Sequence, residues 1–200
     1  MPQNLPALIA GLIVGAYWGR VLLLMRKARR RVGRLANVIP PERTGRLIRI
    51  VWIPLIVLWI ALPIYGGICE MKFTFLKPLA TWPMLQWPAA GVALVAFLLT
   101  NMCWQKMGKS WRLGIDPNEK TALIVTGLYK YIRHPIYALS TLLMIATAAV
   151  WPSPAMLIIA VIHLIFLQSE ARREERHLTS IHGEIYQSYC KTTGGFLPRF

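Results

Sequence analysis

Acidic residues are scarce in this chain: 8 Asp and Glu stand against 23 Lys and Arg in 200 residues, a formal net charge of +15. The same chain is 56% hydrophobic with a mean hydropathy of +0.47. Those values exclude an ordinary soluble domain, because they coexist only if the charge sits outside long apolar segments. Cysteine is nearly absent: Cys69, Cys103 and Cys190 are far apart and form no CxxC pair. That excludes a disulfide framework and a thiolate metal site. No Gly-x-Gly-x-x-Gly follows a strand pattern, and Walker, HExxH and Gly-x-Ser-x-Gly motifs are missing, which excludes a Rossmann cofactor fold and a membrane protease as far as motifs can. The centres of the apolar runs lack the Asp, Glu, Lys or Arg that mark an ion pathway, which argues against a transporter. A non-catalytic assembly protein is the other alternative from a different class. No repeat or low-complexity tract is visible.

What the chain does have is a series of apolar runs. They span about Leu5 to Met25, Leu47 to Ile68, Met84 to Trp104, Pro135 to Trp151, and Pro154 to Leu167, the last continuing as a charged helix to about Ile181. A span needs roughly 20 mostly apolar residues, so the final two arms are short. The turn Trp151-Pro152-Ser153-Pro154 joins them as a helical hairpin. Pro54 and Pro63 predict a bend in the second run. Gly11, Gly15 and Gly19 line up small residues on one face of the first, which predicts a close helix neighbour. The pattern predicts an all-α membrane protein of about five transmembrane helices with a cytoplasmic C-terminal region. Residues 1–200 form one domain, with three N-terminal spans in 1–104 and a cofactor-binding half in 105–200.

Charge bias orients it. Nine Lys/Arg and only Glu42 lie between Arg26 and Arg49, whereas Cys69 to Pro83 holds Glu70, Lys72 and Lys77 alone. Six further basic residues lie between Lys106 and Arg133, and five in the tail from Arg172 to Arg199. Positive loops stay inside, so the N-terminus is expected outside, the C-terminus in the cytoplasm, and the chain in the inner membrane. The positive charge at span ends is explained by lipid headgroups and topology rather than by nucleic acid.

Two polar regions on that cytoplasmic side hold the unusual residues. In Arg133-His134-Pro135-Ile136-Tyr137, His134 is pushed out of helical geometry by the proline that follows, while Pro135 suits a first helical position. The free N–H groups of such a helix start attract carboxylates and phosphates, with Arg133 as a permanent cation and His134 as a switchable donor. The alternative is an interfacial anchor of basic and aromatic residues. Glu170, Glu174 and His177 then share one helix face, close to the membrane, where carboxylates are costly unless paired. Arg172, Arg173 and Arg176 are possible partners; otherwise a carboxylate there holds a cation. Tyr186 and Tyr189 fit either an interfacial belt or a cation–π contact. His163, alone in its span, reads as a hydrogen-bonded core histidine.

These residues resemble a family. Gly127-Leu128-Tyr129-Lys130-Tyr131-Ile132-Arg133-His134-Pro135-Ile136-Tyr137 looks like the signature of isoprenylcysteine carboxyl methyltransferases and related phospholipid methyltransferases. Glu174-Glu175-Arg176-His177-Leu178, Gly183-Glu184-Ile185-Tyr186 and Phe196-Leu197-Pro198 are similar to its C-terminal block in order and spacing. The resemblance covers about residues 105–200; the first three spans match in character only. It implies S-adenosylmethionine as cofactor, a membrane lipid or lipidated small molecule as substrate, and no nucleic acid partner. It also implies cofactor contacts from Thr121, Ala122, Leu123, Ile124, Tyr129, His134, Pro135, Ile136, Tyr137 and Glu174. Glu174 is expected to hold the cofactor cation and the Pro135 helix start with His134 its carboxylate, with Arg133 or Glu175 orienting the acceptor. Catalysis is thus assigned to Arg133, His134 and Glu175. Two departures stand out: Leu139 where eukaryotic members often carry Gly, and Glu170 where a substrate-facing Arg is usual. Glu170 there would repel a prenylcysteine carboxylate, which favours an amine, a thiol or another lipid nucleophile.

Overall fold

The computed structural model describes residues 3–32, 43–108, 111 and 123–199. Among the described residues six helices follow one another: α1 Leu5–Val32, α2 Arg43–Ile68, α3 Pro83–Met107, α4 Pro135–Val150, α5 Pro154–His182 and α6 Glu184–Thr192. Short 3₁₀ turns lie at Thr74–Leu76 and Gly127–Lys130. Among the described residues the only extended pairing is one parallel bridge between Ile132 and Gly194. The protein is an all-α membrane protein. α1, α2, α3 and α5 are each long and apolar enough to cross a bilayer. α4 has 16 residues, about 24 Å of helix at 1.5 Å per residue, against a hydrocarbon core of roughly 30 Å. The short arm expected from sequence is therefore α4, while α5 gains its length from its charged extension. α2 runs as one helix through both Pro54 and Pro63.

Local chemistry sets the boundaries. Pro83, Pro135 and Pro154 each stand in the first helical turn, where a missing N–H costs nothing. Ser153 caps α5, its hydroxyl accepting from the Met156 N–H at 3.1 Å. The hairpin tip is pinned from outside by Trp151 Nε1–H donating to the Leu76 carbonyl at 3.1 Å and by Gln86 Nε2 donating to the Val150 carbonyl at 2.9 Å. Gly183, at φ 53°, ends α5 and starts α6; that left-handed conformation favours glycine.

Small residues bring the helices together, as lipid-phase packing demands. α3 buries Ala89, Ala90, Ala93 and Ala96, and its most extensive contact is with α4. A Cβ added at Gly11 would lie 2.6 Å from Ile64 on α2, and one at Gly15 would lie 3.7 Å from Ile60, whereas Gly19 meets nothing within 4 Å. The first two glycines of that face thus serve an internal neighbour. Outward, residues such as Leu12, Leu23, Val57, Leu98, Val161 and Ile165 stand exposed. An apolar exterior this continuous suits lipid rather than water.

Candidate active site

The chain before α4 is fixed by the tail. His134, at φ −120° and ψ 60°, stands outside the helix that Pro135 opens, the conformation expected of a residue before proline. The Arg133 N–H donates to the Gly194 carbonyl at 2.7 Å, and the His134 N–H donates to the Gly195 carbonyl at 3.1 Å. Residues 194–195 therefore lie alongside 132–134 as a strap. A Cβ on Gly194 would collide with the Leu197 carbonyl, so the strap requires glycine there. The Tyr189 hydroxyl donates to the Tyr129 carbonyl, which fastens α6 to the 3₁₀ turn.

Charges lock the same junction. Arg133 Nη2 and Nε both lie 2.9 Å from Glu175 Oε1. Its Nη1 donates to the Cys190 carbonyl at 3.3 Å and to the Thr193 carbonyl. His134 Nε2 is 3.1 Å from Glu175 Oε1, and Nδ1 is 3.6 Å from Glu174 Oε2. Burial works against a charge on His134, but the hydrogen bonds and fields of Glu174 and Glu175 outweigh it and push its pKa up to about 9. The imidazole is thus a cation at neutral pH, held between two carboxylates. Its ring stacks on Tyr137, centroids 5.5 Å apart and 8° from parallel, with Phe196 at 6.0 Å.

Beside this junction lies a cavity of about 120 Å³. Its polar end is formed by Tyr129, Arg133, His134, Pro135, Tyr137, Glu170 and Glu174. Its other end is aromatic: Tyr17 and Trp18 from α1, Trp52 from α2, Trp104 from α3, and Trp111, closed by Leu167 and Ser140. The Tyr17 and Trp104 rings are 5.0 Å apart, Tyr17 and Trp18 5.5 Å, and Trp18 and Trp52 5.8 Å. Glu170 is paired with Arg173 at 2.6 Å, one turn along α5.

Of the residues singled out in the sequence, Tyr129, Arg133, His134, Pro135, Ile136, Tyr137 and Glu174 line this one cavity. Glu175 does not line it; it sits behind, between Arg133 and His134. Leu123 and Ile124 are half-buried and are not part of the lining, while Thr121 and Ala122 lie outside the described residues. Glu170 and Glu174 share the cavity without His177. Tyr186 is buried and packs near Tyr189, centroids 6.0 Å apart; both brace the tail away from the cavity. Both nitrogens of His134 face glutamates, so donation to a bound carboxylate would have to displace Glu174. Sequence reasoning missed the aromatic end. Tyr17, Trp18, Trp52 and Trp104 come from three helices with no shared motif, and only the tryptophan count of 8 hinted at them.

A bundle of apolar helices whose interfacial turn, charged helix extension and aromatic side chains line one cavity defines the class: an all-α membrane protein with a polar and aromatic cavity. A sequence model of the phospholipid methyltransferase family matches residues 86–185, half of the chain, and the protein belongs to that family. It is similar to a methanethiol S-methyltransferase from a Pseudomonas strain, 31% identical over 125 residues, covering 58% of this chain and 44% of the relative. A methanethiol S-methyltransferase of Pseudomonas deceptionensis is 28% identical over 171 residues, covering 80% and 60%. The nickel-cobalt-cadmium resistance protein NccN of Alcaligenes xylosoxydans xylosoxydans is 27% identical over 114 residues, covering 56% and 53%. The chain spans about half the length of the curated relatives it matches.

Proposed function

We propose that the protein transfers a methyl group from S-adenosylmethionine to a lipid-like nucleophile that reaches the cavity from the bilayer, at the cytoplasmic face of the inner membrane. The observation that carries this is the meeting of the α4 start and Glu174 at one cavity walled by aromatic rings. The residues present fit the cofactor. S-adenosylmethionine carries two cationic centres and a carboxylate. The Glu174 carboxylate suits an ammonium, and the rings of Tyr17, Trp18 and Trp104 suit a sulfonium. The first N–H groups of α4, after Pro135, suit a carboxylate. Trp18 adds a buried indole N–H with no partner among the described residues, a donor that a ligand oxygen or nitrogen would satisfy. Phospholipid methyltransferase family membership supports methyl transfer, and the apolar exterior supports a bilayer route for the acceptor.

When bound, the cofactor supplies a methyl carbon on a positively charged sulfur; attack by the acceptor forms the new bond while the carbon–sulfur pair returns to the departing thioether. A carboxylate acceptor releases no proton, whereas a thiol or amine gives one up to interfacial water. The protein's part is alignment and exclusion of water. His134 and Glu175 hold the α4 start, Arg133 ties it to the tail, and the aromatic end keeps the acceptor dry. Arg133 and Glu175 thus act as positioning residues. A second reading, a small thiol as acceptor, is supported by the names of two relatives and by a cavity whose lining residues are all buried or half-buried. The test is binding of labelled S-adenosylmethionine in detergent. Glu174→Ala is expected to weaken it about 10-fold or more, and His134→Ala to weaken it by loosening the α4 start. Unchanged affinity in both variants would reject the assignment.

A further inference from the structure

His163 is buried in the apolar middle of α5, where an unpartnered imidazole would be costly. Both of its nitrogens are used. Trp52 Nε1–H donates to Nδ1 at 3.3 Å, and Nε2 lies 3.1 Å from Ser140 Oγ. An indole nitrogen can only donate, so Nδ1 carries no proton. The ring proton is then on Nε2 and is donated to Ser140 Oγ. The hydroxyls of Thr100, Thr147 and Ser169 are turned back to the carbonyl four residues earlier in their own helices. Ser140 is turned instead to His163, across to another helix. Because its oxygen receives the imidazole proton, its own proton is directed elsewhere. Ser140 lines the cavity at the aromatic end, where its hydroxyl pairs with that of Tyr17, whose oxygen takes the proton until an acceptor replaces it. A chain of one-way hydrogen bonds from α2 through α5 to α4 thus fixes the direction in which one hydroxyl points.

We propose that Ser140 is the acceptor-orienting residue, that His163 and Trp52 are positioning residues that keep it a donor, and that this donor selects an attacking sulfur or oxygen over an amine nitrogen. This rests on the cavity being the methyl-transfer site. A neutral amine has one lone pair; if that pair accepts the Ser140 proton, none remains for the methyl carbon. A thiolate sulfur or a carboxylate oxygen accepts the same hydrogen bond and keeps another pair for attack. The hydrogen bond to a charged acceptor is also the stronger one. The thiol proton leaves to water before attack, and a carboxylate has none to lose.

The experiment uses the full chain in lipid nanodiscs with methyl-labelled S-adenosylmethionine and three acceptors of equal chain length: octanethiol, octanoate and octylamine. The expected wild-type result is label in the thiol or the carboxylate, with kcat/KM for the amine at least about tenfold lower. Ser140→Ala should raise the KM of the preferred acceptor about tenfold and leave cofactor Kd unchanged, and Ser140→Thr should restore it. Trp52→Phe frees Nδ1 to take the proton, so that Ser140 can donate to Nε2 and turn a lone pair to the cavity. The preference over the amine should then narrow while cofactor Kd again stays put, a change that loosened packing alone would not produce. Preferred methylation of the amine, transfer to none of the three with cofactor bound, or an unchanged KM and preference in Ser140→Ala would each overturn the proposal. Failure of the wild-type protein to bind S-adenosylmethionine at all would overturn the underlying reading instead.

Discussion

The two ends of the cavity are built by opposite means. At the polar end, Arg133 and His134 are tied to Glu175, to Glu174 and to tail carbonyls by short contacts between residues about 40 to 60 apart in the chain. At the aromatic end, Tyr17, Trp18, Trp52 and Trp104 hold one another mainly by ring contacts 5.0 to 5.8 Å between centroids. The first is directional, so each side chain has one permitted geometry. The second is fixed by packing of three spans and can be resized by substituting one ring. The contrast teaches that the two parts of the lining answer to different changes: a substitution of charge undoes the first, and a change of ring size reshapes the second.

The largest expected effect attacks the packed end. Trp104 is 3% exposed, and Trp104→Ala should cost about 3–5 kcal/mol of stability, read as a lowered unfolding temperature in detergent. If it left stability untouched, the aromatic end would not be a packed wall. Next is Arg133→Ala at the polar end, expected to cost about 3 kcal/mol because Glu175 loses its fixed cation inside a partly buried network. Limited proteolysis should then cut between 190 and 199 faster than in the wild type.

pH sharpens the same comparison. The folded pKa of His134, about 9, lies above the ordinary value near 6.5. Its stabilisation is therefore fully present below about pH 6.5, persists through neutrality, and is lost as pH rises through about 9. Stability should fall between about pH 6.5 and 9 by on the order of 3 kcal/mol, read as a lowered unfolding temperature, and His134→Asn should flatten that limb. The aromatic end has no counterpart to it. Smaller still is Glu174→Gln, which keeps the shape and removes the charge; cofactor affinity should fall about tenfold, or roughly 1.4 kcal/mol, and the alkaline limb set by His134 should move to lower pH. Smallest is Tyr189→Phe, which removes one hydrogen bond to the Tyr129 carbonyl at about 1 kcal/mol.

The polar end was largely legible in the sequence. Proline after His134 dictates a local conformation, and a helix places Glu170 and Glu174 on one face, so both features follow from short-range rules. The spans and the hairpin were legible because hydropathy is additive along the chain. The position of Glu175, against Arg133 and His134 and outside the cavity lining, was not, since adjacent glutamates look alike until a helix is rotated against its neighbour. His163 read correctly as a hydrogen-bonded histidine, but its partners could not be named. Trp52 is 111 residues away and Ser140 is 23, and no period links them. The aromatic wall was hidden for the same reason.

The strap of residues 194–195 across the start of α4 also sets an order of events. The helices of the bundle can enter the bilayer as each is made, yet the Arg133 and His134 N–H groups meet their backbone partners only once Gly194 and Gly195 have been synthesised some 60 residues later, a long-range pairing that is slow to close. A nascent chain that already holds its membrane helices would still lack a formed cavity. Competence to bind should therefore arrive late in biogenesis, after the membrane helices are in place.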